Sequence, residues 1–217
     1  MKVFIDLCAG LGGASSAFVL DPSWLVIRID NNDDLKPFVP GLNVANVCDV
    51  DATLTIIDAT LRIHGLSWDT ITKLVVWASP PCYEFSFGYN APGPTAARAG
   101  EDFEPNMDIV NACHRIIELI SPDYWYIENV RGAIPYFGEV LGQWTQQVGS
   151  FFLWGKHPQV AFKDNNTRYL KKVDKRHSDM RAQLRAQLPL EISQAIKDSI
   201  DIQRSLTSFF GDAEPNA

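Results

Sequence analysis

The chain of 217 residues lacks several features that would assign it to a class at once. It has only four cysteines, Cys8, Cys48, Cys82 and Cys113, and no CxxC pair, so neither a zinc site nor a disulfide framework is indicated. No apolar run approaches the roughly 20 residues that span a bilayer, and Asp6 comes too early for a secretory signal. We therefore expect a cytoplasmic protein with free thiols and no metal site.

The chain also lacks an overall positive charge, since its net charge is −7. The charge is uneven, however: residues 156–185 contain nine Lys or Arg and three acids, whereas the remainder carries an excess of 13 negative charges. A basic segment on an acidic protein favours contact with a polyanion such as nucleic acid. A solvated basic loop is the alternative.

No internal repeat is present, and strand-like and helix-like patterns alternate along the chain. This alternation predicts an α/β fold with a mostly parallel sheet and helices on both faces. The predicted strands are Lys2–Leu7, Trp24–Ile29, Val44–Val47, Leu74–Trp77 and Tyr124–Ile127, and the predicted helices are Gly13–Leu20, Asp51–His64, Met107–Ile120 and Leu190–Ile200.

Two segments depart from this alternation. Gly88–Pro105 is rich in Gly, Pro and Ala and is predicted to be a long loop without secondary structure, of the kind that often forms a lid. Val148–Trp154 and Gln159–Phe162 are predicted to pair as a hairpin around Gly155. The tail from Gly211 is predicted to fray.

The most informative motif is Ser79-Pro80-Pro81-Cys82, which directly follows a predicted buried strand. Proline cannot donate to a sheet ladder, so the chain must leave the sheet there. Cys82 is then presented beyond the carboxyl end of a strand, where open α/β sheets bind ligands. Glu128 directly follows the next predicted strand, at the same edge of the sheet. A thiol and a carboxyl group together favour covalent catalysis with proton transfer.

The first predicted strand runs into a glycine-rich turn, Asp6–Gly13. Glycine permits tight turns and close approach of backbone N–H groups to a ligand. Asp30, at the end of the second strand, is placed to accept hydrogen bonds from ribose hydroxyls. A nucleotide-containing cofactor is therefore predicted. The G-x-G-G spacing at Gly10 to Gly13 is not the G-x-G-x-x-G of NAD-binding folds.

In this order the motifs resemble those of the cytosine-5 DNA methyltransferases, especially short, often phage-encoded members. Asp6–Gly13 is similar to the first motif of that family, Pro80-Pro81-Cys82 to its catalytic motif, and Glu128-Asn129-Val130 to its Glu-Asn-Val motif. Residues 151–158 resemble a stretch that follows this motif, and residues 188–200 resemble the closing helix on the cofactor side. The resemblance implies a Rossmann-like methyltransferase fold and S-adenosyl-L-methionine as the cofactor.

The resemblance also implies roles for individual residues. Cys82 would add to cytosine C6, Glu128 would protonate N3, and Asn129 would brace the cysteine loop. The implied cofactor contacts are Asp6, Leu7, Cys8, Ala9, Gly10, Gly12, Gly13, Asp30, Asn31, Asp49, Val50 and Pro80. The family's Gln-x-Arg-x-Arg motif is missing, so Arg131 is either its substitute or a surface charge.

Three domains or segments follow: a catalytic domain at 1–155, a basic target-recognition segment at 156–187, and a returning helix at 188–210. The DNA-binding candidates are Lys156, Arg168, Lys171, Lys172, Lys175 and Arg176. So short a recognition segment predicts low sequence selectivity and salt-dependent binding. The expected partner is DNA, either duplex with a flipped cytosine or single-stranded, in a phage or restriction-modification setting. The same chemistry on RNA and a catalytically silent DNA-binding relative remain the alternatives.

Overall fold

The structure is a computed structural model that describes residues 1–162, 184 and 187–210, of which 203–210 are described by their backbone alone. Its seven strands form one sheet in the order β3-β2-β1-β4-β5-β7-β6. The strands are β1 (Lys2–Leu7), β2 (Trp24–Asp30), β3 (Leu42–Val44), β4 (Lys73–Ala78), β5 (Tyr124–Asn129), β6 (Gln146–Val148) and β7 (Phe151–Trp154). All neighbours pair in parallel except β5 with β7 and β7 with β6.

The helices cover both faces of this sheet. They are α1 (Ser16–Val19), α2 (Val50–Ile63), α3 (Pro92–Ala99), α4 (Asp108–Ile120), α5 (Ile134–Leu141) and α6 (Leu190–Phe210). Alternate residues of each strand point to opposite faces, and the core divides accordingly. Ile5 and Val76 pack with residues of α2 and α4, whereas Phe4 and Trp77 pack with residues of α1 and α6. The predicted α/β Rossmann-like class is confirmed. Within the described residues, no helix is long and apolar enough to cross a membrane.

The four central strands were predictable because each contains a run of consecutive apolar residues, as buried parallel strands do. The third strand was misplaced: it spans Leu42–Val44 and pairs with β2, whereas Val44–Val47 had been predicted. The first helix is shorter than predicted, since it begins at Ser16 and not at Gly13.

The predicted structureless loop at 88–105 is wrong, because α3 lies within it. Proline at the first helical position and a run of alanines favour a helix there. The helix ends at Ala99, and Gly100 follows as a left-handed C-cap with a φ of 72°. The sequence offers no apolar stripe for α3, and none of its residues is buried.

The predicted hairpin also had the wrong partner. The strands that pair are β6 and β7, joined by a tight turn in which Gly149 has a φ of 60°. Residues 155–162 form no strand. Gln146 instead holds this segment through its side chain, since its amide accepts from the Val160 N–H at 2.8 Å and donates to the Val160 carbonyl at 2.7 Å.

Candidate active site

The candidate site lies where the strand order reverses, between β1 and β4. Chain connections leave these two strands in opposite directions, and ligands bind in the resulting crevice at the carboxyl ends of open α/β sheets. A cavity of about 200 Å³ occupies this position. It is bounded by the turns after β1, β2 and β4, by the segment after β3, by α4 and by the residues just before α6. The lining residues are Cys8, Ala9, Gly10, Leu11, Gly13, Ala14, Asp30, Asn31, Ala45, Asn46, Val47, Ser79, Pro81, Ile109, Gln187 and Leu188.

The glycine-rich turn and the end of β2 are tied together by one carboxylate. Asp30 accepts a hydrogen bond from the Gly10 N–H at 2.8 Å through Oδ2 and from the Asn32 N–H at 3.0 Å through Oδ1. A carboxylate oxygen has a second lone pair, so Asp30 retains acceptor capacity toward a ligand in the cavity. Cys8, whose φ is 54°, also lines this cavity, and its sulfur lies 4.0 Å from that of the buried Cys113.

Six of the twelve predicted cofactor residues line the cavity, namely Cys8, Ala9, Gly10, Gly13, Asp30 and Asn31. Asp6 and Leu7 do not, because both are buried within the sheet layers. Asp6 shares the strand face of Phe4, beneath α1, and neither of its carboxyl oxygens has a hydrogen-bond partner among the described residues. Burial raises its pKa to about 7, against the opposing influence of the nearby Ser15 and Arg28. Gly12 packs against the Arg28 guanidinium and is also outside the lining.

Asp49 and Val50, also predicted as cofactor contacts, lie outside the cavity lining as well. Asp49 is exposed and caps α2 by accepting from the Ala52 N–H at 3.0 Å, and Val50 is the first residue of that helix. The cavity is lined instead by Asn46 and Val47. Residues just after the carboxyl end of a strand are the expected ligand contacts, and Asn46 and Val47 follow the true end of β3 at Val44. Asn46 and Val47 were therefore missed because the third strand was predicted to end at Val47.

The cysteine loop leaves the sheet at the end of β4 and is held by β5. The Asn129 side chain donates to the Pro80 carbonyl at 2.9 Å and accepts from the Val130 N–H at 2.9 Å. Pro80 itself lies outside the main cavity, in an adjoining cleft that shares Pro81 with it. Cys82 follows, half-buried, and its carbonyl accepts from the Phe85 N–H at 3.1 Å in a tight turn.

Glu128 is the buried carboxyl group beside this loop. It is the penultimate residue of β5, the strand next to β4, and lies on the strand face opposite to that of Asn129. Burial raises the pKa of Glu128 to about 7, and the Ser79 side chain opposes part of this rise. Burial also raises the pKa of Cys82, and the charge of Glu128 raises it further. The two groups are thus close enough for the protonation of one to affect the other.

The turn after β5 packs directly against the cysteine loop. A Cβ at Gly132 would lie 1.9 Å from the Phe85 carbonyl oxygen, so only glycine fits at this contact. Phe85 is itself buried, with its ring 5.0 Å from that of Phe137 in α5. Arg131 is exposed in the intervening 3₁₀ turn. The cysteine loop is thus held at two points, by Asn129 and by Gly132.

The start of α6 closes the cavity on its remaining side. A Cβ at Gly13 would lie 2.6 Å from backbone atoms of Leu188, so this turn and the chain before α6 are in close contact. Ser193 fixes the helix there, donating to the Ala14 carbonyl at 2.6 Å and accepting from the Ala17 N–H at 3.0 Å. The contribution of Gln187 to the cavity was not predicted, and no local motif indicates it.

Of the predicted DNA-binding residues, only Lys156 belongs to the described part of the chain. It follows β7, and its carbonyl accepts from the Trp125 N–H at 2.9 Å. Arg168, Lys171, Lys172, Lys175 and Arg176 lie outside the described residues. Within the described residues there is no group of three or more His, Cys, Asp or Glu side chains that could hold a metal ion.

Comparison with known proteins gives a distant structural similarity. No family model and no curated protein matches the chain. Among solved structures it is similar to a candidate DNA modification methyltransferase encoded within an E. coli prophage, at 15% sequence identity and a TM-score of 0.39. The match covers 72% of this chain and 47% of that one, so this chain spans about half the length of its structural neighbour. A similarity this low leaves the function to be inferred from the site itself.

Proposed function

We propose that this protein is an S-adenosyl-L-methionine-dependent DNA methyltransferase that modifies C5 of cytosine through a covalent adduct at C6. The observation that carries the proposal is the pairing of a half-buried thiol, Cys82, with a buried carboxyl group, Glu128, at the carboxyl ends of adjacent strands. This pair lies beside a cavity at the point where the strand order reverses.

Cytosine C5 is a weak nucleophile until the ring is converted to an enamine. In the proposed mechanism the Cys82 thiolate forms a bond to C6, and the developing negative charge on the ring is neutralised by proton transfer to N3. C5 then takes the methyl group as the bond between that methyl and the donor's sulfur breaks. C5 loses its proton to solvent, the C6–sulfur bond breaks to release Cys82, and N3 returns its proton to the group that supplied it. Asn129 keeps Cys82 in position through its hydrogen bond to the Pro80 carbonyl.

Glu128 is the proposed donor to N3. An unperturbed glutamic acid is almost fully ionised at neutral pH, whereas a pKa of about 7 leaves a substantial fraction protonated. Catalytic acids work best when their pKa lies near the working pH. Arg131 is the proposed substitute for the missing arginine motif, because it is exposed and lies two residues after Asn129.

The residues that line the cavity fit a nucleoside cofactor. Asp30 has free acceptor capacity for ribose hydroxyls, and the amides of Asn31 and Asn46 suit the polar edge of a base. S-adenosyl-L-methionine, when bound there, supplies an electrophilic methyl group. Ser79 and Pro81 belong to the same lining, so the cavity reaches the strand end from which the Cys82 loop departs.

DNA is the proposed substrate, with little sequence selectivity. A cytosine inside a duplex cannot reach Cys82, so the base must be flipped out or already unpaired. The basic segment at 156–187 is proposed to contact phosphates, and the 88–105 segment with its helix α3 is proposed to close over the base. The N-terminal 155 residues would then carry the chemistry, and the returning helix would complete the cofactor side.

Trapping with DNA that contains 5-fluorocytosine tests the proposal. Fluorine at C5 cannot leave as a proton does, so the enzyme should remain attached after methyl transfer and survive denaturing electrophoresis. The wild type and Cys48→Ala, which removes another exposed thiol, should both form the adduct. Cys82→Ala should form none.

The absence of an adduct in the wild type, with the methyl donor present and DNA bound, would refute the enzyme proposal and favour a silent DNA-binding protein. Methyl incorporation into tRNA in preference to duplex and single-stranded DNA would instead assign the same chemistry to RNA.

A further inference from the structure

The loop that follows Cys82 exposes three aromatic rings, Tyr83, Phe87 and Tyr89, which we call the aromatic surface. Their exposed fractions are 62%, 75% and 74%, while Phe85 between them is buried. Large rings at this exposure, close together in the chain, are uncommon unless they meet a partner. Nothing in the proposed transfer of a methyl group uses them.

The loop that carries the aromatic surface is held in place by internal contacts. The Tyr83 hydroxyl donates to the Asn90 carbonyl at 3.2 Å, which fixes this ring against the far end of the loop. The Arg98 guanidinium of α3 lies over the Tyr89 ring, 4.0 Å from its centroid, and donates to Thr95 at 3.2 Å. An arginine stacked on a tyrosine offers a flat, cationic and aromatic face, which suits a nucleobase.

The charges next to the aromatic surface restrict what it can bind. A cleft of about 420 Å³ beside Phe87 is lined by Glu84, Glu101 and Asp102 as well as by Gly132 of the turn after β5. Carboxylates repel phosphate groups but accept hydrogen bonds from base amino groups. A duplex presents its phosphates on the outside, so duplex DNA is poorly matched to this acidic cleft. An unpaired strand can turn its bases toward the rings and keep its phosphates away.

The position of the surface favours nucleic acid over a protein partner. Tyr83 is the residue next to Cys82, and the cleft shares Gly132 and Phe85 with the packing that holds the cysteine loop. A protein docked here would cover the route to Cys82, whereas a strand that delivers cytosine has to pass it.

We propose that Tyr83, Phe87, Tyr89 and Arg98 form a stacking platform for unpaired bases next to the target cytosine, so that single-stranded DNA is the preferred substrate form. This inference rests on the proposed function, because it gives the substrate of the same site. It adds that bases are held by stacking at this platform.

The test is equilibrium binding of labelled oligonucleotides, measured by fluorescence anisotropy without the methyl donor. All proteins carry Cys82→Ala, so that chemistry plays no part. Single-stranded DNA, the same sequence as a duplex, and the same sequence as RNA are compared. Phe87→Leu and Tyr89→Leu keep apolar bulk but remove the π face. Trp68→Leu is the control, since this partly exposed ring precedes the amino-terminal end of β4, whereas Cys82 follows its carboxyl end.

Each platform substitution should weaken single-strand binding about 5- to 100-fold. It should leave duplex binding and the slope of affinity against salt unchanged, because no phosphate contact is lost. Trp68→Leu should behave as the parent. Unchanged single-strand affinity, an equal loss on duplex, or tighter binding of RNA would overturn the inference. Circular dichroism melts, expected to match the parent, identify any variant that lost its fold.

The outcome is separable from that of the trapping experiment. Ring-dependent binding of single strands without a covalent adduct in the protein that retains Cys82 would refute the enzyme proposal and leave the platform standing. An adduct with ring-independent binding would do the reverse.

Discussion

Replacing Glu128 by Gln should make the protein more stable at alkaline pH while it abolishes methyl transfer. Glu128 is buried in the folded protein, where its pKa is raised to about 7 from 4.5, chiefly by desolvation. At 1.36 kcal/mol per pH unit this difference corresponds to about 3 kcal/mol. Glutamine has nearly the same shape and no charge, so the variant does not bear this penalty.

The sign follows from proton linkage. Below pH 4.5 both the folded and the unfolded protein keep the Glu128 proton, so wild type and variant should have similar stability. Between pH 4.5 and 7 the unfolded chain releases the proton while the folded protein retains it, and wild-type stability falls as pH rises. Above pH 7 the full difference applies. For a domain of this size, about 3 kcal/mol corresponds to about 6–12 °C in Tm.

The assay is thermal unfolding from pH 4.5 to 8.5, with Glu139→Gln as the matched control, since Glu139 is exposed. Glu128→Gln should melt above the wild type at pH 8 and converge with it near pH 4.5, whereas Glu139→Gln should follow the wild type throughout. Two results would refute the assignment of Glu128 as a buried, protonated acid. One is a variant that melts below the wild type at pH 8, and the other is a difference in Tm between the two proteins that does not change with pH. The buried Asp6 is present in all three proteins and cancels from the comparison.

Three further substitutions test how the site is held. Asn129→Ala removes the hydrogen bond to the cysteine loop; kcat should fall at least tenfold and stability by about 1–3 kcal/mol, and an unchanged kcat would contradict its bracing role. Gly132→Ala forces a Cβ into a backbone carbonyl and should lower the free energy of unfolding, measured in urea, by more than about 2 kcal/mol. Gly138→Ala is its control: a Cβ there meets nothing within 4 Å, so the protein should be unchanged or slightly more stable. Ser193→Ala leaves a buried carbonyl and a buried N–H of the first helix unpaired, so we expect a loss of about 1–3 kcal/mol and weaker cofactor binding by calorimetry.

The sequence predicted most of the sheet but little of its periphery. β1, β4 and β5 were found because each contains a run of three or more consecutive apolar residues and is largely buried. The short β3 was misplaced because apolar residues continue beyond its end, at Ala45 and Val47. α3 was missed because its helix-forming alanines lie in a glycine- and proline-rich context without an apolar stripe. Propensity without periodicity is a weak signal.

The positions of the candidate residues were predictable where they depend on strand ends but not where they depend on packing. Cys82 and Asn129 follow from the rule that parallel strands end at one edge. Asp6 was predicted to contact the cofactor, although alternation along β1 places it on the same face as Phe4, beneath α1. The approach of Gly13 to Leu188 joins residues 175 positions apart, which no local pattern indicates.

The raised pKa values of Cys82 and Glu128 fit one protonation state of the proposed enzyme. A protonated Glu128 can donate to N3 and exerts no charge on Cys82, so the thiol then ionises more readily than it does beside a carboxylate. An ionised Glu128 has no proton to give and also holds the pKa of the thiol higher. The protonated state of Glu128 is therefore the one that can donate to N3 and the one in which the Cys82 thiol ionises more readily. Burial of Glu128 costs stability at neutral pH, but in the proposed mechanism it couples the two steps that cytosine activation requires.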